Sequence, residues 1–316
     1  MFVTKYGSAW DGLPNTSGRK FWVSPTDGYT VNGDSYRASD GNGGLDPREA
    51  LRSVNRAFDL VTADVGDVIV LLPGAHTAIT ANTTTAASIG ADVAGVTLWG
   101  LSSGGGNPMR RRVTLSGVVA DQTLNVTAAD IEIANISFIG NATQTGSAFV
   151  DYSAAAGGLY VHDCLFDFTA ATAGTSILGL DAIGAAPQVA VERCTFLSDG
   201  AFGAGLDLTA TLDALVQDCA FLLQTGTWAA ALTCGAATDR ALIRRCQFID
   251  FGGTMTIGIN GTGATIANGV AIHDCRFGVT VSTPIGGFDA AEAMISENYD
   301  FGVGATDGGV LITAIA

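Results

Sequence analysis

Seven dipeptides, Leu124-Asn125, Val150-Asp151, Leu180-Asp181, Leu206-Asp207, Leu232-Thr233, Ile259-Asn260 and Phe288-Asp289, each join an apolar residue to a short polar one. Their polar members are 26, 30, 26, 26, 27 and 29 residues apart. Stacked coils of similar length produce such spacing, so the polar residues are expected on one outward face with their apolar neighbours turned in. Asp151, Asp181 and Asp207 then occupy consecutive rungs, about 5 Å apart. Two carboxyl groups about 5–5.5 Å apart suit a retaining glycoside hydrolase. Three converging oxygen donors equally suit a calcium ion. Against both stands a plainer reading, a solvated ladder of strand-ending residues bonded to neighbouring backbone. Asp151, Asp181 and Asp207 are therefore candidates for catalysis and for metal binding, and none is assigned to either.

Other chemistry is sparse. His162 and His273 occupy equivalent positions four coils apart, about 19 Å, too far to share a metal, and each reads as a surface residue. The chain has no G-x-S-x-G, zinc-ligand spacing or phosphate-cradling motif; GINGTGAT (258–265) has glycines but no helix after it, and SSGGGNP (102–108) reads as a loop.

The elements that position these residues follow from a second repeat. The copies IEIANISF (131–138), LYVHDCLF (159–166), VAVERCTF (189–196), ALVQDCAF (214–221), ALIRRCQF (241–248) and VAIHDCRF (270–277) close on phenylalanines 28, 30, 25, 27 and 29 residues apart, and a degenerate copy, AMISENYDF, spans 293–301. Each alternates like a strand, then breaks at a polar pair before two more inward residues. The second member of that pair is Asn135, Asp163, Arg193, Asp218, Arg245, Asp274 or Glu297. Asn or Asp at four of the seven suits left-handed backbone at a sharp corner. Apolar runs of four to seven residues are too short for a helical solenoid, so the repeat predicts a parallel β-solenoid. Its phenylalanines form one inner ladder, and Ile136, Cys164, Cys194, Cys219, Cys246 and Cys275 form another. Each buried Phe contributes roughly 1.5–3 kcal/mol.

The 316 residues are 47% hydrophobic, with 42 glycines and a net charge of −15, which predicts a soluble, folded chain. Only two lysines, Lys5 and Lys20, are present, so nucleic-acid binding through phosphate neutralisation is not expected, and Arg110-Arg111-Arg112 reads as a solvated loop. No apolar stretch is long enough for a membrane span. The start, MFVTKYGSAW, lacks the pattern of a signal peptide. All six cysteines read as reduced core residues, which suits assembly in a cytoplasm.

Residues 1–45 are rich in aromatic and turn residues and read as an arm or attachment segment. Asp46-Pro47-Arg48-Glu49 carries the signals of a helix start, which predicts a capping helix over 46–64, followed by a buried strand in GDVIVLLPGAHT (66–77). The run YRASDGNGGLDPREALRSVNRAFDLVTADVGDVIVLLPGAHT (36–77) resembles the opening segment of right-handed parallel β-helix proteins of the pectate-lyase-like superfamily, with His76 where that family usually has Tyr. The resemblance spans residues 21–301. It implies an all-β, right-handed, single-stranded parallel β-helix over 65–302 with an N-terminal α-helical cap. In 303–316 the apolar run GVLITAIA (309–316) reads as a final strand that either closes the last coil or packs against another subunit. The handedness comes from the resemblance alone.

Function is less constrained, because that superfamily holds lyases, hydrolases, epimerases, phage tailspikes and non-catalytic virion proteins. Its lyases use a basic residue beside acidic metal ligands, whereas Arg193, Arg240, Arg244, Arg245 and Arg276 are expected at or near the other corner. The paired DD, G-H-G and R-x-K of its polygalacturonases are absent. Three readings remain. The first is a non-catalytic structural protein of a tailed-bacteriophage virion: a capsid decoration protein, head fibre or tail-fibre module. It would be assembled in the host cytoplasm as a homotrimer, with a capsid or tail protein as partner and host polysaccharide as a further one. The second is a tailspike-like depolymerase acting through the Asp ladder. The third is a secreted carbohydrate-binding β-helix, for which Tyr152, Tyr160 and Trp228 are the obvious exposed aromatic candidates.

Overall fold

The computed structural model describes residues 13–14, 16–31, 33–79, 87–101, 113–117, 123–140, 148–153, 157–169, 174–182, 188–200, 202–209, 211–235, 238–261, 269–278, 280–288, 293–300 and 310–312. Tyr6, Trp10, the triple-arginine run, the 102–108 loop, Asp289 and Phe301 lie outside them.

The chain is a parallel β-solenoid with three sheets of ten, ten and eight strands. The first sheet runs from Lys20–Val23 through Val68–Leu71 to Ala293–Ser296. The second begins at Gly74–Thr77 and the third at Ile89–Ala91. The repeat builds two of these sides. Its first half is a first-sheet strand, as in Ile131–Ala134, with Ile131 and Ile133 inward and Glu132 outward. Its second half is a second-sheet strand. Between them, all seven corner residues from Asn135 to Glu297 adopt φ between 51° and 59°, the left-handed backbone expected of them. Two of the seven are arginine and one is glutamate, so the corner holds this conformation even with side chains that disfavour it.

The core is laid down in columns. Phe138, Phe166, Phe196, Phe221, Phe248 and Phe277 are fully buried. Successive rings stack at 5.1, 4.7, 4.8, 4.8 and 4.9 Å, within 11° of parallel. His76 and Leu115 continue this column downward. His76 is buried, its Nε2 is 2.8 Å from the Leu72 carbonyl, and burial pushes its imidazole down to about 4. The five cysteines of the neighbouring column are buried and are not in disulfides. Each thiol donates to the carbonyl two residues before it, at 3.3–3.5 Å. Asn298 ends that column, accepting from Cys275 N and donating to Ile272 O. In the degenerate seventh copy it is Asp300 that lies opposite Phe277.

The N-terminal end differs from the sequence expectation. The helix, α1, spans Val54–Leu60 with Ser53 as its N-cap, not 46–64. Asp46-Pro47-Arg48-Glu49 forms a turn, in which Asp46 Oδ1 accepts from Arg48 N at 2.8 Å. The helix starts late because Leu51 is held in extended backbone beside Val23, bonded to Trp22 O and Ser24 N. Asp40 then fixes the start, accepting from Arg52 N, Ser53 N and the Ser53 hydroxyl. Val54, Ala57 and Phe58 pack onto the core.

Residues 20–23 are likewise no arm. They are the first rung, paired in parallel with Val68–Leu71. Val68 and Val70 face outward yet are buried, because Trp22, Ala50, Leu72 and Leu101 join them in a second apolar cluster on the outer surface. At the other end Val310–Ile312 adds antiparallel to Asn298–Asp300, closing the second sheet. Among the described residues no helix is long and apolar enough to cross a membrane.

Candidate functional site

The third sheet carries the polar ladder. Register pairs Asn125 with Asp151, Asp151 with Asp181, Asp181 with Asp207, Asp207 with Thr233 and Thr233 with Asn260. The preceding Leu124, Val150, Leu180, Leu206, Leu232 and Ile259 are all buried. The last step differs: Asn260 lies opposite Gly286, so Ile285-Gly286 takes the place expected for Phe288-Asp289.

The three candidate aspartates are therefore brought together, but they are not equivalent. Asp207 Oδ1 accepts from Thr209 N at 2.9 Å and from the Thr209 hydroxyl, the local backbone bonding of a strand-ending residue. Asp181 is half-buried. Among the described residues nothing donates a hydrogen bond to its Oδ1. Burial, then the negative charges of Asp207 and Asp151, push its carboxyl up to about 7. Such a group holds its proton near neutrality and can donate it, the property required of a general acid.

Among the described residues the coil arginines are not beside it. Arg193 and Arg245 sit at the corner between the first two sheets, Arg244 on the first sheet and Arg276 on the second. Arg240 is at a different bend, ahead of the first-sheet strand Ala241–Arg244, where it binds Asp213. Among the described residues no group of three or more His, Cys, Asp or Glu is placed to hold a metal ion.

A denser polar cluster lies on the outer face of the first sheet, where sequence reasoning placed only a surface histidine. His162 is in fact buried, 7% exposed. Its Nε2 is 2.9 Å from Glu132 Oε1 and its Nδ1 is 2.8 Å from Asp163 Oδ2. Tyr160 stacks over it at 4.4 Å and Trp99 meets it edge-on at 5.9 Å. Trp99 and His162 lie two rungs apart with small Ala134 between them, which lets both rings lean together. Burial disfavours the charged imidazole, but hydrogen bonds to Asp163 and Glu132 outweigh it and raise His162 to about 9.

The network continues along the axis. Arg193 bonds Asp163 and Glu192, Gln217 donates to Glu192, Arg244 donates to Gln217, and Arg245 binds Asp218. At the corner itself the residues read Asp163, Arg193, Asp218, Arg245, Asp274, alternating in sign at every rung. Of the three aromatic candidates, Tyr152 and Trp228 are fully buried and belong to the core. Only Tyr160 faces outward.

No protein-family model matches the chain, and a search of curated proteins gives no match. Solved structures do match. The pectin methylesterase from Aspergillus niger is similar over 96% of this chain and 93% of its own, at 12% identity and a TM-score of 0.50. A pectin methylesterase in complex with a hexasaccharide covers 82% of this chain and 87% of its own at 10% identity, with a TM-score of 0.49. The Geobacillus virus E2 protein ORF18 covers 86% of this chain and 61% of its own at 10% identity, and its TM-score of 0.38 carries no argument. At these identities the likeness is one of fold alone. The chain is a parallel β-solenoid, and its fold is similar to that of these β-helix proteins.

Proposed function

We propose that this β-helix is a non-catalytic structural protein of a tailed-bacteriophage virion, a capsid decoration protein, head fibre or tail-fibre module. It assembles as a homotrimer on a capsid or tail protein. The reading is carried by the use the chain makes of its polar side chains. Along the first sheet and its corner they bind one another from rung to rung, as staples in a rigid rod, and do not converge on a reacting centre. Six buried cysteines outside any disulfide add support, since they suit folding in a reducing host cytoplasm. Size-exclusion chromatography with light scattering, together with SDS gels of unheated protein, tests it. The expected result is an SDS-resistant trimer with no action on host polysaccharide. A monomer that degrades such a polymer sinks the proposal.

One observation favours a depolymerase instead: Asp181, raised to about 7, stands between two carboxylates. On that reading Asp181→Asn and Asp207→Asn abolish polymer cleavage, and variants that cleave as well as the parent remove the ladder from consideration.

A further inference from the structure

A groove of about 550 Å³ opens on the outer face of the first sheet. It follows from side-chain size. Glu132, Tyr160, Ala190 and Leu215 are consecutive outward residues in register, and Ala190 leaves a trough between the larger side chains. Tyr160 is a fixed wall, because its hydroxyl donates to Glu192 Oε2 at 2.9 Å and its ring lies on His162. The rim is equally fixed. Asp130 Oδ1 accepts from Gly158 N at 3.0 Å, and Arg240 binds Asp213 through contacts of 2.7 and 3.0 Å. Gln188 adds an exposed amide.

We propose that this groove binds a neutral oligosaccharide lying along the solenoid axis. The Tyr160 wall and the Ala190 and Leu215 floor suit the C–H face of a pyranose, while carboxylate, amide and guanidinium groups on the rim suit its hydroxyls. Rungs about 4.8 Å apart repeat on the scale of a sugar unit. Because these groups are already anchored, binding loses little side-chain freedom. Charge sets the class of sugar. Of the charged groups that face the groove, Asp213 is paired with Arg240 and Glu132 with His162, which leaves Asp130 to make the groove net negative, so uronates and other anionic sugars are repelled. This site is separate from the Asp ladder, and the inference does not depend on a virion role.

The full chain is screened on an array of neutral and acidic oligosaccharides, and the best neutral sugar is titrated calorimetrically into the parent, Ala190→Phe, Gln188→Ala and Ala271→Phe. Ala190→Phe fills the trough. Ala271→Phe places the same ring in the same outward column, beyond the groove. The expected result is a neutral ligand whose affinity falls by about tenfold, 1.4 kcal/mol, in Ala190→Phe and measurably in Gln188→Ala. Ala271→Phe leaves it unchanged. Gln188 is exposed, so its variant reads binding even if Ala190→Phe unfolds. No binding on the array, a preference for acidic sugars, binding of peptides alone, or affinities indifferent to both groove variants would overturn the proposal.

Discussion

His162 shows how far a residue's surroundings can reverse its chemistry. The imidazole is buried, yet it is held protonated because Asp163 and Glu132 each reach one ring nitrogen. Glu132 is lowered below the usual carboxylate range, chiefly by its hydrogen bond to His162. Asp163 is lowered too: burial works against its charge, and bonds to His162 and Arg193 prevail. A histidine raised from about 6.5 to about 9 contributes stability that is complete below pH 6.5 and is lost as pH rises through 9. The two depressed carboxylates act oppositely, contributing above their ordinary range and losing it as pH falls. The contribution of this cluster should therefore be greatest between about pH 5 and 6.5 and decline towards pH 9.5, with a loss on the order of 2 kcal/mol. Denaturant unfolding across that range checks this, and His162→Gln should remove most of the alkaline decline. An NMR titration of His162 with a midpoint near 6.5 would contradict the account.

At the scale of the strand and its corner, one rule governs every rung, and it can be tested where its consequence is plainest. Glu297 adopts φ 55° and is exposed, and among the described residues it makes no ion pair like that of Arg193 or Arg245, so it bears the cost of left-handed backbone. Glu297→Asn should stabilise the fold by about 0.5–1 kcal/mol, since Asn tolerates this conformation better. A denaturant midpoint that does not rise would show the corner to be unstrained. In the Phe column, Phe221→Ala should cost about 3–5 kcal/mol. Phe277→Ala, with one stacked Phe partner among the described residues where Phe221 has two, should cost about 0.5–1.5 kcal/mol less. Equal losses would mean that stacking contributes nothing beyond burial.

These columns were legible in the sequence because residues of one kind recur at one position: six phenylalanines, five cysteines and seven polar corner residues. What escaped the sequence depends on neighbours from other rungs. His162 looked exposed because Trp99 is 63 residues away in sequence and meets it only once the register is known. Tyr152 and Trp228 looked available to ligands because alternation does not say which long side chains the core absorbs. The helix start at Asp46 was outcompeted by pairing of Leu51 beside Trp22 and Val23, a contact no local signal carries. The ladder of aspartates was visible as spacing, but the bonding of Asp207 to Thr209 and the isolation of Asp181 were not.

For the whole molecule, a solenoid is nearly one-dimensional: each rung touches chiefly its neighbours, and stability is close to a sum over rungs and their interfaces. A rung should then be removable if the cut respects register. Val189 pairs with Ala214, and Ala214 with Ala241. Deleting 189–213 therefore removes one turn, and deleting 189–240 removes two, each joining Gln188 to an equivalent residue. Shape alone predicts that both variants fold, with Phe166 stacking on Phe221 in the first and on Phe248 in the second. Charge separates them. The corner alternates Asp163, Arg193, Asp218, Arg245, so losing one turn sets Asp163 against Asp218, two carboxylates one rung apart, whereas losing two sets Asp163 against Arg245. Like charges in adjacent strands destabilise where opposite charges help. The shorter protein should consequently show the higher denaturant midpoint of the two, although its unfolding slope falls with the surface removed. Raising the salt concentration should narrow the gap, because these side chains are partly exposed and screened. If the single-turn deletion is instead the more resistant one at low salt, alternation along the corner is incidental, and the rungs are held in register by the phenylalanine and cysteine columns alone.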